Sequence, residues 1–502
     1  MCMPLYRNVL WMGMVDPTTN DYILRLSAVK CATLQTSRKI GPPMGKTPPE
    51  VDEYIKTHRS DFESDLFELL KIPSVSADSK HHGDTALAAN WVADQFAELG
   101  FATEKIETAG HPIVLARSAN LETHPTVLVY GHYDVQPPDP LDEWISPPFE
   151  PTIRDGNVYA RGATDDKGQM LTHIKSAQAW IETCGELPVN LIYLIEGEEE
   201  VGSENLEKYI ASQPEKLACD CVVISDTSQF GPGQPAITYG LRGIAYYELR
   251  LQGPSQDLHS GTFGGAVTNP ANALSSMLAK MIDADCKIKI PGFYDDVIPL
   301  TTREREGFQA LSFSEQRFQD LIGVDNTTGE SGFSTLERRC ARPSLDINGI
   351  WGGYQGEGAK TVLPAKAAAK FSFRLVPEQN PVQITRNLKD FLQSIIPPGI
   401  SMELIDLHGA PGVVVPLDSP YIEASARAIE HGFGTAPVYI REGGSIPIVS
   451  SFSDKLGVES LLLGWGQNDD NTHSPNEKFN LADFHRGIRT SACLWAEIAT
   501  IA

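Results

Sequence analysis

The sequence predicts an α/β fold: a mostly parallel sheet with helices on both faces, into which a second, α+β domain is inserted. Between about 90 and 232, strand-like and helix-like segments alternate, a pattern typical of a parallel sheet covered by helices. Near 236 the pattern changes to the period-two alternation of half-exposed strands, and past 415 the α/β pattern returns. Because α/β sequence lies on both sides of the interruption, we expect an insertion.

The chain length also favours two domains, because 502 residues exceed what a single core ordinarily holds. Residues 1–45 do not resemble the rest of the chain. We therefore expect an N-terminal extension of unknown role at 1–45, the first part of the main domain at 46–236, the inserted domain at 237–412 and the second part of the main domain at 413–502.

Apolar runs predict the buried strands of the main domain, namely Val127–Tyr130, Val189–Ile195, Cys221–Ser225 and Ser460–Leu463. Start and stop signals predict its helices at about 49–71, along the stripe Met170, Ile174, Ala177 and Ile181, from Ser419-Pro420 to Gly432, and at 481–500. In the inserted domain the alternating strands are Ala245–Leu251 and Ala369–Leu375, with a helix face from Leu274 to Ile282.

Composition excludes several classes of partner. The formal net charge of −24 argues against nucleic acid and anionic membranes, so neither partner is expected. No apolar stretch reaches the length of about 18 residues that a membrane-spanning helix needs. The eight cysteines are scattered without a C-x-x-C pair, which favours reduced thiols and a cytoplasmic protein.

The most informative motif is an acidic run at the end of a predicted strand. The apolar segment 189–195 leads directly into Glu196, Glu198, Glu199 and Glu200. Carboxylates at the end of a buried strand are unfavourable unless a cation compensates them, and a divalent metal does so as their ligand. Considered alone, the run is explained equally well by a solvated acidic turn.

Four further polar motifs lie after predicted strands or before a predicted helix: His132 with Asp134, Asp165 with Asp166, Ser225-Asp226, and His473. Each has an ordinary structural explanation, such as a loop histidine, helix capping, a turn aspartate or a polar loop. Together they place two histidines and at least three carboxylates at the carboxyl ends of strands in one α/β domain. That set is enough for two divalent ions with a shared carboxylate.

In their order along the chain, these motifs resemble the co-catalytic zinc peptidases of the aminoacylase/carboxypeptidase clan, and within it the carnosinase-like, cytosolic nonspecific dipeptidase branch. The resemblance spans about 50–500. The segments that carry it are His132-x-Asp134, Gly162–Gly168, Glu196–Ser203, Ser225-Asp226, Asp257–Gly261, Ala359–Val362, Phe373–Pro377, Arg441–Pro447 and Thr472-His473. It implies a catalytic, metal-binding main domain and an inserted domain that serves as a lid and dimerisation domain.

The resemblance further implies two divalent metal ions per subunit. Zinc is expected, and manganese or cobalt stay open because carboxylate-rich sites accept several metals. The peptide bond between Asp165 and Asp166 is typically cis in this clan. The implied ligands are His132 and Asp226 for one ion, Glu200 and His473 for the other, and Asp165 as the bridge between them.

Catalysis is implied to depend on Glu199 as the general base for a metal-bridged water, with Asp134 orienting His132. The residues alone leave the choice among Glu198, Glu199 and Glu200 open. In the dipeptidase branch, His259 reaches across a homodimer to stabilise the oxyanion in the other subunit's site.

Substrate recognition is implied for four side chains. Arg374 would bind the free carboxylate of the substrate, for which its planar fork is suited, although an ordinary surface arginine is the alternative. Thr361, His408 and Ser445 match positions that line the pocket in relatives.

The function that this resemblance implies is metal-dependent hydrolysis of the peptide bond in dipeptides or short peptides. A deacylase of N-acyl or N-succinyl amino acids uses the same kind of metal site, and recognition of a free substrate amine would distinguish the two. A non-catalytic scaffold of the same fold is the third alternative, which a missing base or ligand would have favoured. The physiological substrate stays open.

Overall fold

A computed structural model of the chain describes residues 45–501. The extension predicted at 1–45 lies, apart from its last residue, outside the described range. Within that range no helix is both long and apolar enough to cross a membrane.

The helices of the described range are α1 (Pro49–Thr57), α2 (Arg59–Leu70), α3 (His82–Glu98), α4 (Lys167–Cys184), α5 (Glu204–Ser212), α6 (Ser260–Phe263), α7 (Pro270–Ala279), α8 (Thr302–Ala310), α9 (Glu315–Ile322), α10 (Thr335–Cys340), α11 (Pro381–Ile395), α12 (Pro420–Phe433), α13 (Pro447–Leu456) and α14 (Leu481–Ile498).

The strands of the same range are β1 (Ala102–Ile106), β2 (Ile113–Arg117), β3 (Thr126–His132), β4 (Thr152–Arg154), β5 (Asn157–Tyr159), β6 (Asn190–Glu196), β7 (Cys221–Ile224), β8 (Ala236–Leu241), β9 (Gly243–Gln252), β10 (Leu258–His259), β11 (Ser344–Gly352), β12 (Val362–Leu363), β13 (Lys366–Leu375), β14 (Ser401–Ala410), β15 (Val413–Val414), β16 (Val438–Glu442), β17 (Glu459–Gly464) and β18 (Lys478–Asn480).

The largest sheet has nine strands in the order β1-β2-β6-β3-β7-β17-β8-β15, with β16 paired to β8. Its centre, β6-β3-β7-β17, is parallel, whereas antiparallel pairs lie on both sides of it. The predicted α/β fold with a largely parallel central sheet is confirmed. The central strands are continuous apolar runs because helices cover both of their faces.

Alternate residues of β3 show how the two faces are filled. Val127 and Val129 belong to the core that includes α1–α4, α12 and α14, whereas Leu128 and Tyr130 face a core that includes α5 and α13. Successive side chains of a strand point to opposite faces. As a result, the last residues of the central strands emerge at an edge that is enclosed on both sides.

A second, four-stranded sheet has the order β11-β13-β9-β14 and is antiparallel throughout. The predicted alternation in β9 and β13 is confirmed, and its buried side packs against α7 and α11. Strand β8 belongs to the large sheet, so the chain leaves that sheet after Leu241 and re-enters it at Val413. The segment 237–412 as a domain with its own boundaries stays a prediction.

Two details of the predicted helices are wrong. The single helix expected over 49–71 is two helices that meet at His58, where φ is −104° and ψ is 22°. The ring of His58 stacks on Tyr54 at 3.8 Å, and its Nδ1 lies 2.9 Å from the carbonyl oxygen of Tyr54. Helix α12 continues past Gly432. The role of this glycine is to let α14 approach closely, since an added Cβ would lie 1.9 Å from Thr490 Oγ1. The left-handed residue that ends α12 is Gly434.

Helix α4 is also more deeply buried than its apolar stripe predicts. Its first eleven residues are all buried, because α1, α2, α14 and β3 surround it. Three of those buried residues, Lys167, His173 and Lys175, are ionisable. The helix therefore forms the rigid support directly beneath the loop that carries Asp165.

Candidate metal centre

The carboxyl ends of the central parallel strands meet at one edge of the large sheet. His132 is the last residue of β3, Glu200 follows β6 in a short 3-10 turn, and Asp226 follows β7. His473 lies in the loop after β17, and Asp165 in the loop before α4. Parallel strands deliver the residues that follow them to one side of a sheet, which explains how positions far apart in sequence come together.

Two groups of side chains at this edge have the composition of metal sites. The first is His132, Asp165 and Asp226, and the second is Asp165, Glu200 and His473; in each, the ligand-type atoms lie within 4.8 Å of one another. Oδ1 of Asp165 is 3.2 Å from His132 Nε2, and its Oδ2 is 2.9 Å from His473 Nε2. Asp165 is thus shared by the two groups through different oxygens.

The remaining two carboxylates complete the groups at longer range. Oε2 of Glu200 is 3.3 Å from His473 Nε2, and Oδ2 of Asp226 is 4.0 Å from His132 Nε2. The side chain of His473 is 55% exposed whereas that of His132 is fully buried. Solvent therefore reaches the second group through His473.

The surroundings of His132 test whether a cation fits. Its Nδ1 lies 3.1 Å from the backbone oxygen of Asp134 and 3.3 Å from Oδ1 of the same residue, so this nitrogen carries a proton. Its Nε2 is buried and has no aligned hydrogen-bond partner among the described residues, although the carboxylates of Asp165 and Asp226 face it. An unmatched buried nitrogen between carboxylates is suited to a divalent ion.

The electrostatics of the cluster point the same way. Burial lowers the pKa of His132, but the Asp134 and Asp165 carboxylates outweigh it and raise that pKa well above its usual range. Hydrogen bonds to Asp165 and Glu200 raise the pKa of His473 to about 10. Burial and the neighbouring Asp165 raise the pKa of Asp226 well above its usual range. His132, His473 and Asp226 thus favour their protonated forms, and a divalent cation would displace those protons.

Helix capping does not explain the aspartate pair. Asp166 is the N-cap residue of α4, but its side chain makes no capping hydrogen bond. Its Oδ2 instead accepts a hydrogen bond from the backbone nitrogen of His132 at 3.3 Å. The Asp165–Asp166 peptide bond is cis, as the resemblance implied.

The structure distinguishes the four glutamates of the acidic run, three of which (Glu198, Glu199 and Glu200) the sequence leaves open as the general base. Glu196 is buried and accepts hydrogen bonds from Tyr130 and Ser203, and burial raises its pKa to about 8. Glu198 accepts from Asn205 Nδ2 at 2.8 Å and 3.1 Å, away from the cluster. Only the last two members of the run are directed to the cluster.

Glu199 lines a cavity of about 300 Å³ together with Asp165, Asp226 and His473. Burial raises its pKa to about 7, with a further contribution from the neighbouring Glu200 carboxylate. Its carboxylate has no hydrogen-bond partner within residues 45–501, in contrast to Glu196 and Glu198. A carboxylate of this kind, beside but outside the ligand groups, is able to accept a proton from a molecule in the cavity.

Two contacts that the sequence did not predict hold Glu200 in place. Asp134, which contacts His132, also accepts a hydrogen bond at Oδ2 from the backbone nitrogen of Glu200 at 3.2 Å. Nε2 of Gln136 donates to Oε2 of Glu200 at 2.7 Å. Asp134 was expected to orient one histidine, and it fixes the backbone of a second candidate ligand as well.

Glu477 is the other residue that the sequence did not predict. Its buried carboxylate accepts hydrogen bonds from Arg161 Nη1 at 2.7 Å and from the backbone nitrogens of Gly162, Thr164 and Asp165 at 2.9–3.1 Å. These donors lie more than 300 positions earlier in the chain, so no local signal could have indicated the contact. Glu477 holds the backbone of the loop that carries the shared aspartate.

Comparison with known proteins identifies the family. Residues 128–497 match the profile of peptidase family M20/M25/M40. The chain belongs to this family. It is a hydrolase of the metallopeptidase type, and the resemblance read from its motifs is confirmed.

Relatives of this M20 peptidase are similar over most of their length. The chain is 36% identical to the Cys-Gly metallodipeptidase of Schizosaccharomyces pombe over 465 residues, which cover 89% of this chain and 98% of that protein. It is 32% identical to the human Beta-Ala-His dipeptidase over 510 residues, or 97% of this chain and 100% of that protein. The crystal structure of the M20 family metallo-carboxypeptidase Sso-CP2 from Sulfolobus solfataricus matches with a TM-score of 0.80 at 32% identity, covering 88% of this chain and 99% of that one. These relatives do not favour the deacylase or scaffold alternatives.

Of the four substrate-binding residues expected in this M20 peptidase, Ser445 lines the cavity at the cluster, Arg374 contacts Ser445, and His408 lies within electrostatic range of Arg374. Nη1 of Arg374 donates to Oγ of Ser445 at 2.9 Å, and Ser445 lines the same cavity as Glu199. Burial and the nearby charge of Arg374 lower the pKa of His408, whose ring packs edge-on against Tyr246. Arg374 therefore presents its charge beside the cavity that holds the candidate ligands.

Thr361, the fourth of these residues, and His259, the expected oxyanion residue, lie elsewhere in the M20 fold. His259 and Thr361 lie next to each other at the β10–β12 pair, where the backbone nitrogen of Ser260 donates to the Thr361 oxygen at 3.2 Å. His259 is exposed, and neither residue lines the cavity at the metal ligands. A role for His259 in the subunit that carries it has no geometric support.

Proposed function

We propose that this M20 peptidase is a dipeptidase, which hydrolyses the peptide bond of dipeptides and short peptides with two divalent ions bound per subunit. The proposal rests on the position of Asp165, which two histidine-carboxylate groups share. Glu199 lies on the wall of the same cavity. Two relatives whose names identify them as dipeptidases align over nearly their whole length, which supports the same substrate class here.

Five side chains would hold the ions. Zinc suits the mixture of imidazole and carboxylate ligands, and manganese or cobalt suit it too. When bound, the ions polarise the scissile carbonyl and lower the pKa of the attacking water. The proposed ligands are His132 and Asp226 for one ion, Glu200 and His473 for the other, and Asp165 for both.

Glu199 is the proposed general base. Its carboxylate accepts a proton from the attacking water and returns that proton to the nitrogen of the leaving amine. A ligand or a hydrogen-bonded carboxylate would be less available for this task. Glu199 is the member of the acidic run that is on the cavity wall and has no protein hydrogen bond in the described range.

Arg374 and Ser445 would position the substrate. The guanidinium of Arg374 is fixed by its hydrogen bond to Ser445 and is not paired with a carboxylate within 4.0 Å in the described chain. A fixed, unpaired guanidinium suits the free carboxylate of a dipeptide. Asp134 orients His132, and His408 and Thr361 are weaker candidates for contact with the substrate.

We further propose a cytoplasmic homodimer in which His259 of the partner subunit stabilises the oxyanion. The exposure of His259 and its absence from the cavity of its own chain support a role across subunits. The six cysteines in the described range are free, which supports a reducing compartment.

The first test is hydrolysis by purified, metal-reconstituted protein of a panel of dipeptides and the matched N-acyl amino acids, with a chelated sample as the control. We expect metal-dependent cleavage of the dipeptides. Cleavage of the acylated compounds alone would assign the protein to the deacylases, and the absence of any cleavage with metal bound would contradict an enzymatic role.

A subunit-mixing experiment tests the role of His259. Glu199→Ala and His259→Ala are each expected to be inactive, but a mixed dimer contains one site with both residues intact. After random exchange, half of the dimers are mixed and one of their two sites works, so about a quarter of the wild-type activity should return for a symmetric two-fold dimer. No recovery after proven subunit exchange would contradict the proposed action across the interface.

A further inference from the structure

A second, larger cavity adjoins the one at the metal ligands. Its volume is about 750 Å³, and its wall includes residues from the large sheet, from β13 and from the segment between α8 and α10. The two cavities share Ser228, Glu442 and Gly444 in their walls. The larger cavity is therefore directly adjacent to the metal ligands.

The wall of this cavity is rich in unpaired positive charge. Arg242, Arg317, Arg339 and Arg374 line it, and none of them lies within 4.0 Å of a carboxylate in the described chain, whereas their neighbour Arg441 pairs with Glu304. The chain as a whole has 65 acidic and 41 basic residues. A group of unpaired arginines in one cavity of an acidic protein favours the binding of an anionic ligand.

Three of these residues, Arg374, Arg242 and Arg339, are referred to below as the arginine row. The hydroxyl of Ser445 accepts from Arg374 and donates to the backbone oxygen of Arg242 at 2.5 Å. Nε of Arg242 donates to the oxygen of Gly443 at 3.0 Å. At Gly443 an added Cβ would lie 2.9 Å from Arg242 Nη2 and in conflict with the backbone oxygen of Arg339. Arg374 and Arg242 are thus held by neutral acceptors, which leave their charges uncompensated, and the backbone of Arg339 packs against the same Gly443.

Two carboxylates lie close enough to the arginine row to act on it electrostatically. Glu442 is the one acidic residue in the cavity wall, and burial raises its pKa to about 7. Asp346 acts on Arg242 and Arg374 from beyond ion-pair distance and accepts a hydrogen bond from Ser344. Together they do not balance the row of arginines.

The wall of the cavity also contains apolar side chains. Phe308, Phe313 and Leu336 contribute to its wall, and Phe318 supports the guanidinium of Arg339 at 4.9 Å from its ring centroid. Such a wall packs against the methylene groups of a side chain whose charged end reaches the arginines. The chemistry of the cavity thus matches a side chain with an apolar stem and an anionic end.

We propose that this cavity selects substrates whose C-terminal residue has an anionic side chain, with Arg374 binding the terminal carboxylate and Arg242 and Arg339 binding the side-chain carboxylate. The inference rests on the proposed dipeptidase function and names its substrate class. Glutamate and aspartate at the C-terminal position are the residues that fit. A neutral isostere leaves the charge of the arginine row uncompensated.

The test compares Ala-Glu with Ala-Gln, and Gly-Glu with Gly-Gln, using the full-length, metal-reconstituted protein. We expect kcat/KM to be at least about tenfold higher for the acidic member of each pair, the size of one charge-assisted hydrogen bond. In Arg339→Gln this ratio should fall, because only Arg242 is then left to bind the side-chain carboxylate. Arg339 is exposed, so the substitution leaves the fold intact.

Arg338→Gln is the matched control. Its guanidinium donates to the backbone oxygen of Glu330 and does not line the cavity, so the ratio should stay as in the wild type. Equal rates for the acidic and neutral substrates would overturn the inference and leave the dipeptidase function standing. A preference that persists unchanged in Arg339→Gln would overturn the assignment to this arginine row, and no hydrolysis of either substrate would refute the dipeptidase function itself.

Discussion

The contacts of Glu477 give a prediction whose size can be worked out. Each of its carboxylate oxygens accepts two hydrogen bonds: Oε2 from Arg161 and Gly162, and Oε1 from Thr164 and Asp165. Glu477→Gln keeps the shape of the side chain but replaces one oxygen by an NH2 group. Whichever way the amide is turned, two of the four donors then face another donor and lose their acceptor.

The expected cost follows from burial. The side chains of Glu477 and Arg161 are 0% and 1% exposed, so water does not replace the lost acceptor. Two unsatisfied buried donors cost about 1–3 kcal/mol each, and breaking one side of a buried ion pair costs about 3–5 kcal/mol. Both routes indicate a loss of about 3–5 kcal/mol for Glu477→Gln.

Metal binding should weaken as well, because Glu477 fixes the backbone nitrogen of Asp165. Loss of a partner that orients a ligand typically reduces metal affinity about 10- to 100-fold. The assays are the thermal midpoint of the metal-free protein at a fixed scan rate, expected to fall by about 3–5 °C, and a competition titration with a metal-binding dye.

Glu204→Gln is the matched control, since Glu204 is exposed and contacts only the exposed Lys208. We expect no measurable change in its thermal midpoint or its metal affinity. The reasoning is refuted if Glu477→Gln has the thermal midpoint and metal affinity of the wild type.

Three further predictions concern the base, the ligand histidines and a buried lysine. Glu199→Ala should bind metal as the wild type does, but its kcat should fall about 100- to 10,000-fold. Metal content and turnover measured on one preparation test this prediction, and near-normal turnover would contradict it. Metal binding near pH 7 should release protons from His132 and His473, because their pKa values are raised in the metal-free protein. Metal affinity should therefore rise with pH. Calorimetry in buffers of different ionisation enthalpy measures the proton release, and a pH-independent metal affinity would be inconsistent with it. Burial lowers the pKa of Lys167 to about 7. Between pH 7 and about 10.4 the folded state therefore binds fewer protons than the unfolded state. The free energy of unfolding then rises with pH in this range by at most about 1.4 kcal/mol per pH unit. Lys167→Met should reduce the rise of the thermal midpoint from pH 7.5 to 9.5, and equal slopes would count against this account.

Local pattern was enough to predict the central strands and several of the longer helices. The runs at 127–130 and 189–195 are central strands, and alternation along β9 correctly indicated one buried face. Such patterns record burial along one dimension, which the sequence contains directly. Gly432 shows the limit: its sequence context predicts a helix end, whereas its actual role is the close contact between α12 and α14.

The candidate site was predictable to the extent that it depends on strand ends. The sequence placed His132, Asp226 and the acidic run after buried strands, and a parallel sheet brings such positions to one edge. It did not distinguish Glu198 from Glu199, because consecutive residues of a turn point in different directions that only the surrounding packing sets. The contact with Asn205 turns one of them away, and the other is left on the cavity wall.

The sequence by itself therefore determined the fold class, the family and the kinds of side chain available for chemistry. Only the tertiary structure decided which of these side chains meet: Glu477 with the loop that begins at Arg161, Asp134 with Glu200, and Arg374 with Ser445. The physical reason is that motif and periodicity depend on short-range spacing along the chain. These contacts join segments tens to hundreds of residues apart, and their geometry follows from how the sheets and helices pack.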